Sequence, residues 1–289
     1  MTTRLDIQKT YKLYVNGAFP RSESGRSDPI LDRDGQTLGH SCKASRKDLR
    51  EAVVAARGAQ PKWRAATPYL RAQILYRMAE MLESRKPEFV ELLAAAPQGP
   101  SSADAQRELT AAVDRLVCFA GWADKFAHIL GCQNPVSAPY WNITVPEPTG
   151  VIGIVTPKDH ALLALVSLVA PVVASGNACI VISPAFAPVV SSFGEVCATS
   201  DLLGGIINLL TGAHDELVPI LAKHRDVDGI HAAGVSPELA KEIQLGTADN
   251  LKRVKLRRDT DWFDQNECGS PYWIDPFVEF KTVWHPVGA

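Results

Sequence analysis

Six cysteines are the residues of this chain most able to act as nucleophiles or metal ligands. No CxxC pair occurs and no cysteine has a metal-like spacing to a histidine, so we predict no metal site. Most of them lie in apolar or helical contexts, which is typical of reduced core thiols in a cytosolic protein, and we expect a cytoplasmic location. They are Cys42, Cys118, Cys132, Cys179, Cys197 and Cys268.

The sequence pattern in the second half of the chain predicts the strands and helices that would position reactive side chains. From Tyr140 onward, short β-branched runs alternate with helical stretches, and the long apolar run Ala161 to Ala174 reads as a buried helix. The alternation is typical of a doubly wound, Rossmann-like α/β sheet with crossover helices. Strands are predicted at Ile143 to Val145, Val151 to Val155, Cys179 to Ile182, Ile206 to Leu210, Gly229 to His231, Val254 to Leu256 and, in the tail, Phe277 to Val283.

The first 130 residues are predicted to be mainly helical. Asn16-Gly17 favours a tight hairpin turn before them. Ser45 with Asp48 three residues later forms a capping box. Helices are expected from Ser45 to about Gln60, after Thr67-Pro68, from Phe89 to Ala95, and from Ser101 to about Leu130.

Composition and charge exclude several classes of protein. The content of 46% hydrophobic and 21% charged residues is ordinary for a globular domain. A formal net charge of -2 gives no reason to expect nucleic acid or an anionic membrane as partner. The start lacks the apolar core of a secretory signal, and no run reaches the length of roughly 20 apolar residues that spans a bilayer.

Several motifs agree in order and spacing with the aldehyde dehydrogenase superfamily. They are LYVNGAF near the start, EPTGVIGIVTPKDHALLALVSLVAPVVASGNACIVISPAFAP from Glu147 to Pro188, GIINLLTG, and DVDGIHAAG. The chain from Leu13 to Leu256 resembles that superfamily, which binds its dinucleotide without a GxGxxG motif, and none occurs here. Asn250 to Leu256 and Lys281 to Trp284 are similar to the shortened, cysteine-less second half of the tandem, family-sixteen aldehyde dehydrogenases.

The resemblance implies a domain organisation. Residues 1–256 are expected to form an aldehyde dehydrogenase-like dinucleotide-binding domain, with a hairpin arm around 140–146. Residues 257–276 are expected to be a linker that replaces the catalytic domain, and 277–289 an oligomerisation strand. The catalytic domain itself is predicted to be absent.

The catalytic positions implied by the resemblance are degenerate. Asp159 occupies the position of the asparagine that donates to the oxyanion, and an ionised carboxylate only accepts hydrogen bonds. The alternative is that Asp159 and His160 cap the following helix. Arg257 occupies the position of the general base, where a permanent cation accepts no proton. Cys268 follows Arg257 too closely to be the family's nucleophile, so we predict no catalytic residue.

The cofactor positions are degenerate as well. Ile182 and Ala185 stand where the family has the lysine and glutamate that hold the adenosine ribose, and neither side chain forms such hydrogen bonds. Gly234 and Val235 replace the Gly-Ser that faces the pyrophosphate at a helix N-terminus. NAD(P) affinity is predicted to be weak or absent, and no cofactor is expected.

The assembly strands implied by the resemblance are retained. We therefore favour a non-catalytic subunit that joins a full-length aldehyde dehydrogenase, or itself, by strand addition, as scaffold or regulator. The alternatives are a monomer whose strands pair internally, an NAD(P)-dependent aldehyde oxidoreductase, and a module for another ligand. The candidate assembly residues are Trp141, Ile143, Val145, Phe280, Thr282, Val283 and Trp284.

Overall fold

The structure, a computed structural model, describes residues 7–287. Residues 1–6 and 288–289 lie outside the described residues. They belong to the predicted domain 1–256 and the predicted oligomerisation strand 277–289. The strands are β1 Lys9–Tyr11, β2 Ser27–Leu31, β3 Thr37–Cys42, β4 Cys132–Asn134, β5 Tyr140–Pro148, β6 Val151–Val155, β7 Ala178–Ser183, β8 Ile207–Thr211, β9 Gly229–Ala233, β10 Arg253–Arg257 and β11 Val278–Pro286.

Helices surround these strands and dominate the first part of the chain. They are α1 Arg46–Ala65, α2 Pro68–Ser84, α3 Lys86–Ala95, α4 Ser102–Trp122, α5 Phe126–Leu130, α6 Leu163–Ala174, α7 Ala187–Ala198, α8 His214–Lys223, α9 Pro237–Gly246 and α10 Gln265–Cys268.

The central sheet is parallel and has the strand order β10-β9-β6-β7-β8. Every residue of β6, β7, β8 and β9 is buried, because helices cover both faces of the sheet. The strand order reverses between β6 and β9, which is the topological switch point of a doubly wound fold. The predicted α/β class and these strands are confirmed.

The predicted helix starts at Ser45, Thr67 and Ser101 are confirmed, whereas α3 begins at Lys86 rather than at Phe89. Two predicted helix ends also differ from the structure. Ser45 and Asp48 form the capping box of α1. The helix continues through Pro61 to Ala65, because Trp63 is buried and its indole Nε1 donates to the carbonyl of Val173 at 3.0 Å. The single helix expected to reach Leu130 is two helices, since the chain turns after Trp122 and buries Phe126.

The apolar run predicted as a buried helix is α6, whose residues are all buried. Among residues 7–287, no helix is both long and apolar enough to cross a membrane. The same described residues contain no group of three His, Cys, Asp or Glu side chains that could hold a metal ion.

Two small sheets flank the central one. The first has the order β1-β3-β2, which the sequence analysis did not predict, and the second is antiparallel with the order β11-β5-β4. The predicted turn at Asn16-Gly17 is present, with φ values of 53° and 76° and a bridge between Val15 and Ala18.

The connection from β10 to β11 is a folded part of the core. Residues 258–277, most of which were predicted to be a linker, contain α10 and two short 3-10 turns. Arg115 of α4 is fully buried and links this segment to α6. Its guanidinium donates to Gln265 Oε1 and the carbonyl of Trp262 in the segment, and to Ser167 Oγ in α6. The segment buries Trp262, Cys268, Trp273, Ile274 and Phe277.

Candidate functional site

The carboxyl end of the central sheet, at its switch point, is where ligands bind in doubly wound folds. The loops that follow β6, β7, β8 and β9 meet there around a cleft of about 490 Å³. Its lining includes Lys158, Ser183, Thr211, His214 and Ser236.

Three hydroxyl groups of this cleft form hydrogen bonds within the protein. Ser183 Oγ accepts from Thr156 Oγ1 at 2.8 Å, and Thr211 Oγ1 donates to the carbonyl of Cys42 at 2.6 Å. Ser236 Oγ caps α9 by accepting from the amide of Leu239 at 3.2 Å. A ribose entering the cleft would therefore compete with hydrogen bonds that already hold its walls.

The predicted cofactor residues lie at this edge of the sheet but offer no polar side chains. Ile182 is fully buried in β7, and Ala185 is 8% exposed beside the cleft. Gly234 has a φ of +64°, and a Cβ there would lie 2.5 Å from Pro157 Cβ, so close packing requires this glycine. Val235 is partly buried against the core. That these positions are degenerate for dinucleotide binding stays a prediction.

His214 has one ring nitrogen in the cleft that the described part of the chain leaves without a hydrogen-bond partner. Burial lowers the pKa of its imidazole. Its Nε2 is buried and has no hydrogen-bond partner within residues 7–287. The histidine is therefore neutral at physiological pH.

Asp159 lies beside a second cavity, of about 390 Å³, and its side chain is exposed. The alternative that it caps the following helix with His160 is wrong. The first amides of α6, those of Leu162 and Leu163, donate to Glu108 Oε1 at 3.0 and 3.2 Å. Glu108 reaches them from α4 and is only 4% exposed, so the cap comes from a distant helix.

Phe263, from the connecting segment, borders the same cavity. Its ring lies edge-on to His160, with 5.6 Å between the ring centroids. The guanidinium of Arg107 lies 4.2 Å from the centroid of the Phe263 ring. The segment thus covers the loop after β6, next to the position of Asp159.

Arg257 ends β10 and is held by aromatic and imidazole contacts. Its guanidinium lies 3.7 Å from the Trp273 ring centroid, and its Nε donates to His231 Nε2 at 3.1 Å. Burial lowers the pKa of Arg257 to about 10, so it is a cation at neutral pH. Its Nη2 is buried without a hydrogen-bond partner in the described part of the chain.

His231 completes this cluster as a neutral acceptor. Burial, reinforced by the charge of Arg257, holds the pKa of its imidazole well below the ordinary value. Its Nδ1 lies 3.2 Å from the carbonyl of Leu168, which assigns the proton to Nδ1 and leaves Nε2 free to accept from Arg257.

The buried thiols of Cys268, Cys179 and Cys197 are not activated as nucleophiles. Cys268 is fully buried, and burial raises the pKa of its thiol although Arg115 acts in the opposite direction. Burial also raises the pKa of Cys179 and Cys197. A thiol whose pKa is raised is protonated at neutral pH and reacts slowly.

The candidate assembly residues come together on the small sheet β11-β5-β4. β5 and β11 pair along their whole length within one chain, with Val283 opposite Ile143 and Thr282 opposite Thr144. Six large apolar side chains of this sheet remain exposed by 38% to 57%: Trp141, Ile143, Val145, Phe280, Val283 and Trp284.

The residues that organise the site were missed by the sequence analysis. Glu108 and Arg115 are buried on α4 beside Leu109, Ala112 and Leu116. Two charged residues seven positions apart on the apolar face of a helix are the signal that identifies them, because a buried charge requires a specific partner.

Comparison with known proteins agrees with this geometry. The model of the aldehyde dehydrogenase family matches residues 20–258. The chain is 30% identical to the mitochondrial benzaldehyde dehydrogenase of Antirrhinum majus over 85% of its length, covering 46% of that protein. It is 31% identical to retinal dehydrogenase 2 of Gallus gallus over 88% of its length, covering 49% of that protein.

A solved structure gives the same result. An aldehyde dehydrogenase from Bacillus cereus superposes with a TM-score of 0.81 at 25% identity, covering 86% of this chain and 50% of the other. The chain thus spans about half the length of the curated relatives it matches. This chain belongs to the aldehyde dehydrogenase family.

Proposed function

We propose that this protein is a non-catalytic subunit of the aldehyde dehydrogenase family that assembles with a catalytic aldehyde dehydrogenase or with itself, as scaffold or regulator. The observation that carries the proposal is the direct connection from β10 to β11 by residues 258–277, which bury five of their own side chains, from Trp262 to Phe277, against the domain. The resemblance implies that the catalytic domain would begin there.

The residues around that connection support the same proposal. Arg257, at the position of the general base, is a cation bound to His231 and Trp273. Cys268 is the thiol nearest in sequence, and it is buried and protonated. Neither group has the charge state that thiolate attack or water activation needs.

Assembly is supported by the exposed apolar side chains of the small sheet. Apolar side chains that stay half exposed on an open sheet mark an interaction surface. We propose no bound cofactor, since Ile182 and Ala185 supply no ribose ligands. A cytoplasmic location is proposed as well, because all six cysteines are free thiols.

Two measurements on the purified chain test this proposal together. The first is the native mass, alone and mixed with a catalytic aldehyde dehydrogenase from the same organism. The second is NAD(P) reduction with a panel of aldehydes. We expect a complex larger than one chain and no thiol-dependent turnover. A monomer that binds no catalytic subunit contradicts the assembly, and turnover contradicts the lack of catalysis.

An NAD(P)-dependent aldehyde oxidoreductase is the second candidate, favoured by the family match over residues 20–258. Cys268→Ala separates the two. Turnover in the wild-type chain that this variant abolishes would establish the enzyme, and Cys118→Ala is the matched control. Calorimetry with NAD, NADP and adenine nucleotides distinguishes a scaffold, which gives no heat, from a nucleotide-binding module.

A further inference from the structure

The outer edge of β11 is open and has its own set of backbone groups. Among residues 7–287, no strand pairs with β11 on the side away from β5. The amide of Thr149 donates to the carbonyl of Phe277, and that of Val287 to the carbonyl of Pro139. Odd-numbered residues of β11 therefore bond to β5, and the even-numbered residues point their N–H and C=O groups outward.

The even-numbered residues form a regular ladder that ends at a proline. Phe280, Thr282 and Trp284 each present one donor and one acceptor to the open edge, whereas the amide of Val278 donates to the carbonyl of Asp275. Pro286 ends the strand and presents only an acceptor. Unsatisfied groups at an exposed sheet edge are a template for another strand.

The sequence of β11 is complementary to itself when it is read antiparallel about its central residue. β11 has nine residues, and Thr282 is the middle one. Centred there, Phe280 lies opposite Trp284 of a second copy, and the two threonines lie opposite each other. Aromatic pairs and threonine pairs are among the favourable cross-strand contacts.

The charges of β11 agree with the same register. Glu279 lies opposite His285 of the second copy, and Lys281 lies opposite Val283. No like charges meet in this register. Centring the pair on Lys281 instead would place two lysines face to face, which is unfavourable.

We propose that β11 pairs with β11 of a second copy of this chain, with Thr282 on the two-fold axis, so that two three-stranded sheets join into one of six strands. The inference rests on the proposed function and specifies its partner as a second copy and its contact as this edge. Both central residues exchange N–H and C=O bonds, which is an isologous interface.

Cysteine cross-linking tests this register. In a background with the exposed Cys132 replaced by serine, Thr282→Cys places two thiols across the axis, where the Cα separation of about 5.5 Å permits a disulfide. Lys281→Cys is the matched control, because residue 281 of one copy and residue 281 of the other lie too far apart to form a disulfide. We expect about tenfold more oxidised dimer from Thr282→Cys than from Lys281→Cys, and cross-linking when Lys281→Cys and Val283→Cys chains are mixed.

A second variant tests the edge without an added thiol. Thr282→Pro removes an N–H that faces outward, so the pairing of β11 with β5 keeps its backbone hydrogen bonds and loses only the side-chain bond between Thr282 Oγ1 and Thr144 Oγ1. We expect the dimer to dissociate at least about tenfold more readily, with unchanged circular dichroism. A monomeric wild-type chain that binds no partner overturns both proposals. A wild-type dimer that neither cross-links through Thr282→Cys nor responds to Thr282→Pro overturns this register alone.

Discussion

Arg115 shows how a single buried side chain holds the connecting segment in place. Its guanidinium makes three hydrogen bonds to neutral acceptors on α6 and on residues 262–265. Burial without a carboxylate partner lowers its pKa. The buried charge is thus stabilised by three hydrogen bonds rather than by an ion pair. Shortening the Arg115 side chain would therefore leave these acceptors without a partner.

Replacing Arg115 by alanine is expected to lower the free energy of unfolding by about 3 to 5 kcal/mol, because it leaves a cavity and three unpaired acceptors. Arg107 of the same helix is the matched control, since it is exposed and its guanidinium lies over the Phe263 ring. Arg107→Ala should cost less than about 1 kcal/mol. Urea denaturation of both variants measures the difference, and equal losses would contradict the role assigned to Arg115.

His231 predicts a dependence of stability on pH. Its pKa is depressed in the folded protein, so below the ordinary value of 6.5 the unfolded chain binds a proton that the folded protein does not. Stability is therefore present above that value and is lost as the pH falls. Between pH 7.5 and 5.5 this histidine should contribute a loss of about 1.4 kcal/mol.

The variant His231→Gln isolates that contribution. Burial also lowers the pKa of His214 and His224, which remain in both proteins and contribute equally to each. Urea unfolding at the two pH values should show a smaller loss for the variant than for the wild-type chain. The same loss in both would rule out His231 as a source of the acid sensitivity.

At the scale of elements, α6 depends on a cap supplied by α4. Glu108→Ala leaves two buried amides without an acceptor and is expected to cost about 2 to 4 kcal/mol. Glu108→Gln keeps the Oε1 acceptor and should lose less. Asp159→Ala, beside the same helix start, should change stability by less than about 0.5 kcal/mol. If thermal unfolding showed a larger loss of stability for Asp159→Ala than for Glu108→Ala, the assignment of the cap to Glu108 would be wrong.

The central strands were predictable because of their composition. Val151 to Val155 and Cys179 to Ile182 are continuous apolar runs, which strands buried on both faces require. β1 was not predictable, because Lys9 pairs with Gly39 and the local sequence is polar. Short polar strands are specified by such distant pairing rather than by periodicity.

The candidate site was predictable only in part. The residues predicted to be degenerate could be located by register, since each lies at or near the end of a strand that the motifs identify. The cap by Glu108 could not, because it joins residues 54 positions apart. The contact of Phe263 with His160 depends on how residues 258–277 fold, and that segment has no regular apolar period.

At the scale of the whole molecule, the connecting segment makes one cooperative unit with the sheet. Trp273 packs against Trp262, His231 and Arg257, and it is 2% exposed. Trp273→Ala should lower the unfolding free energy by about 3 to 5 kcal/mol within a single transition.

Its neighbour Tyr272 is 65% exposed and provides the control. Tyr272→Ala should change stability by less than about 0.5 kcal/mol. Calorimetry and tryptophan fluorescence should give coincident transitions for the wild-type chain. An early, separate transition in Trp273→Ala would mean that residues 258–277 unfold on their own.

The two prolines of β5 limit how far the small sheet can grow. β4 covers β5 only at Asn142 to Thr144, and beyond it the outward positions of β5 are Pro146 and Pro148, which have no N–H to offer. β4 itself has three residues, too few to template a long strand. Within this sheet, β11 is therefore the edge able to accept a long strand, and once a second copy occupied that edge no long edge of the sheet would remain. The same sheet that exposes aromatic side chains is in this way protected against open-ended polymerisation into filaments.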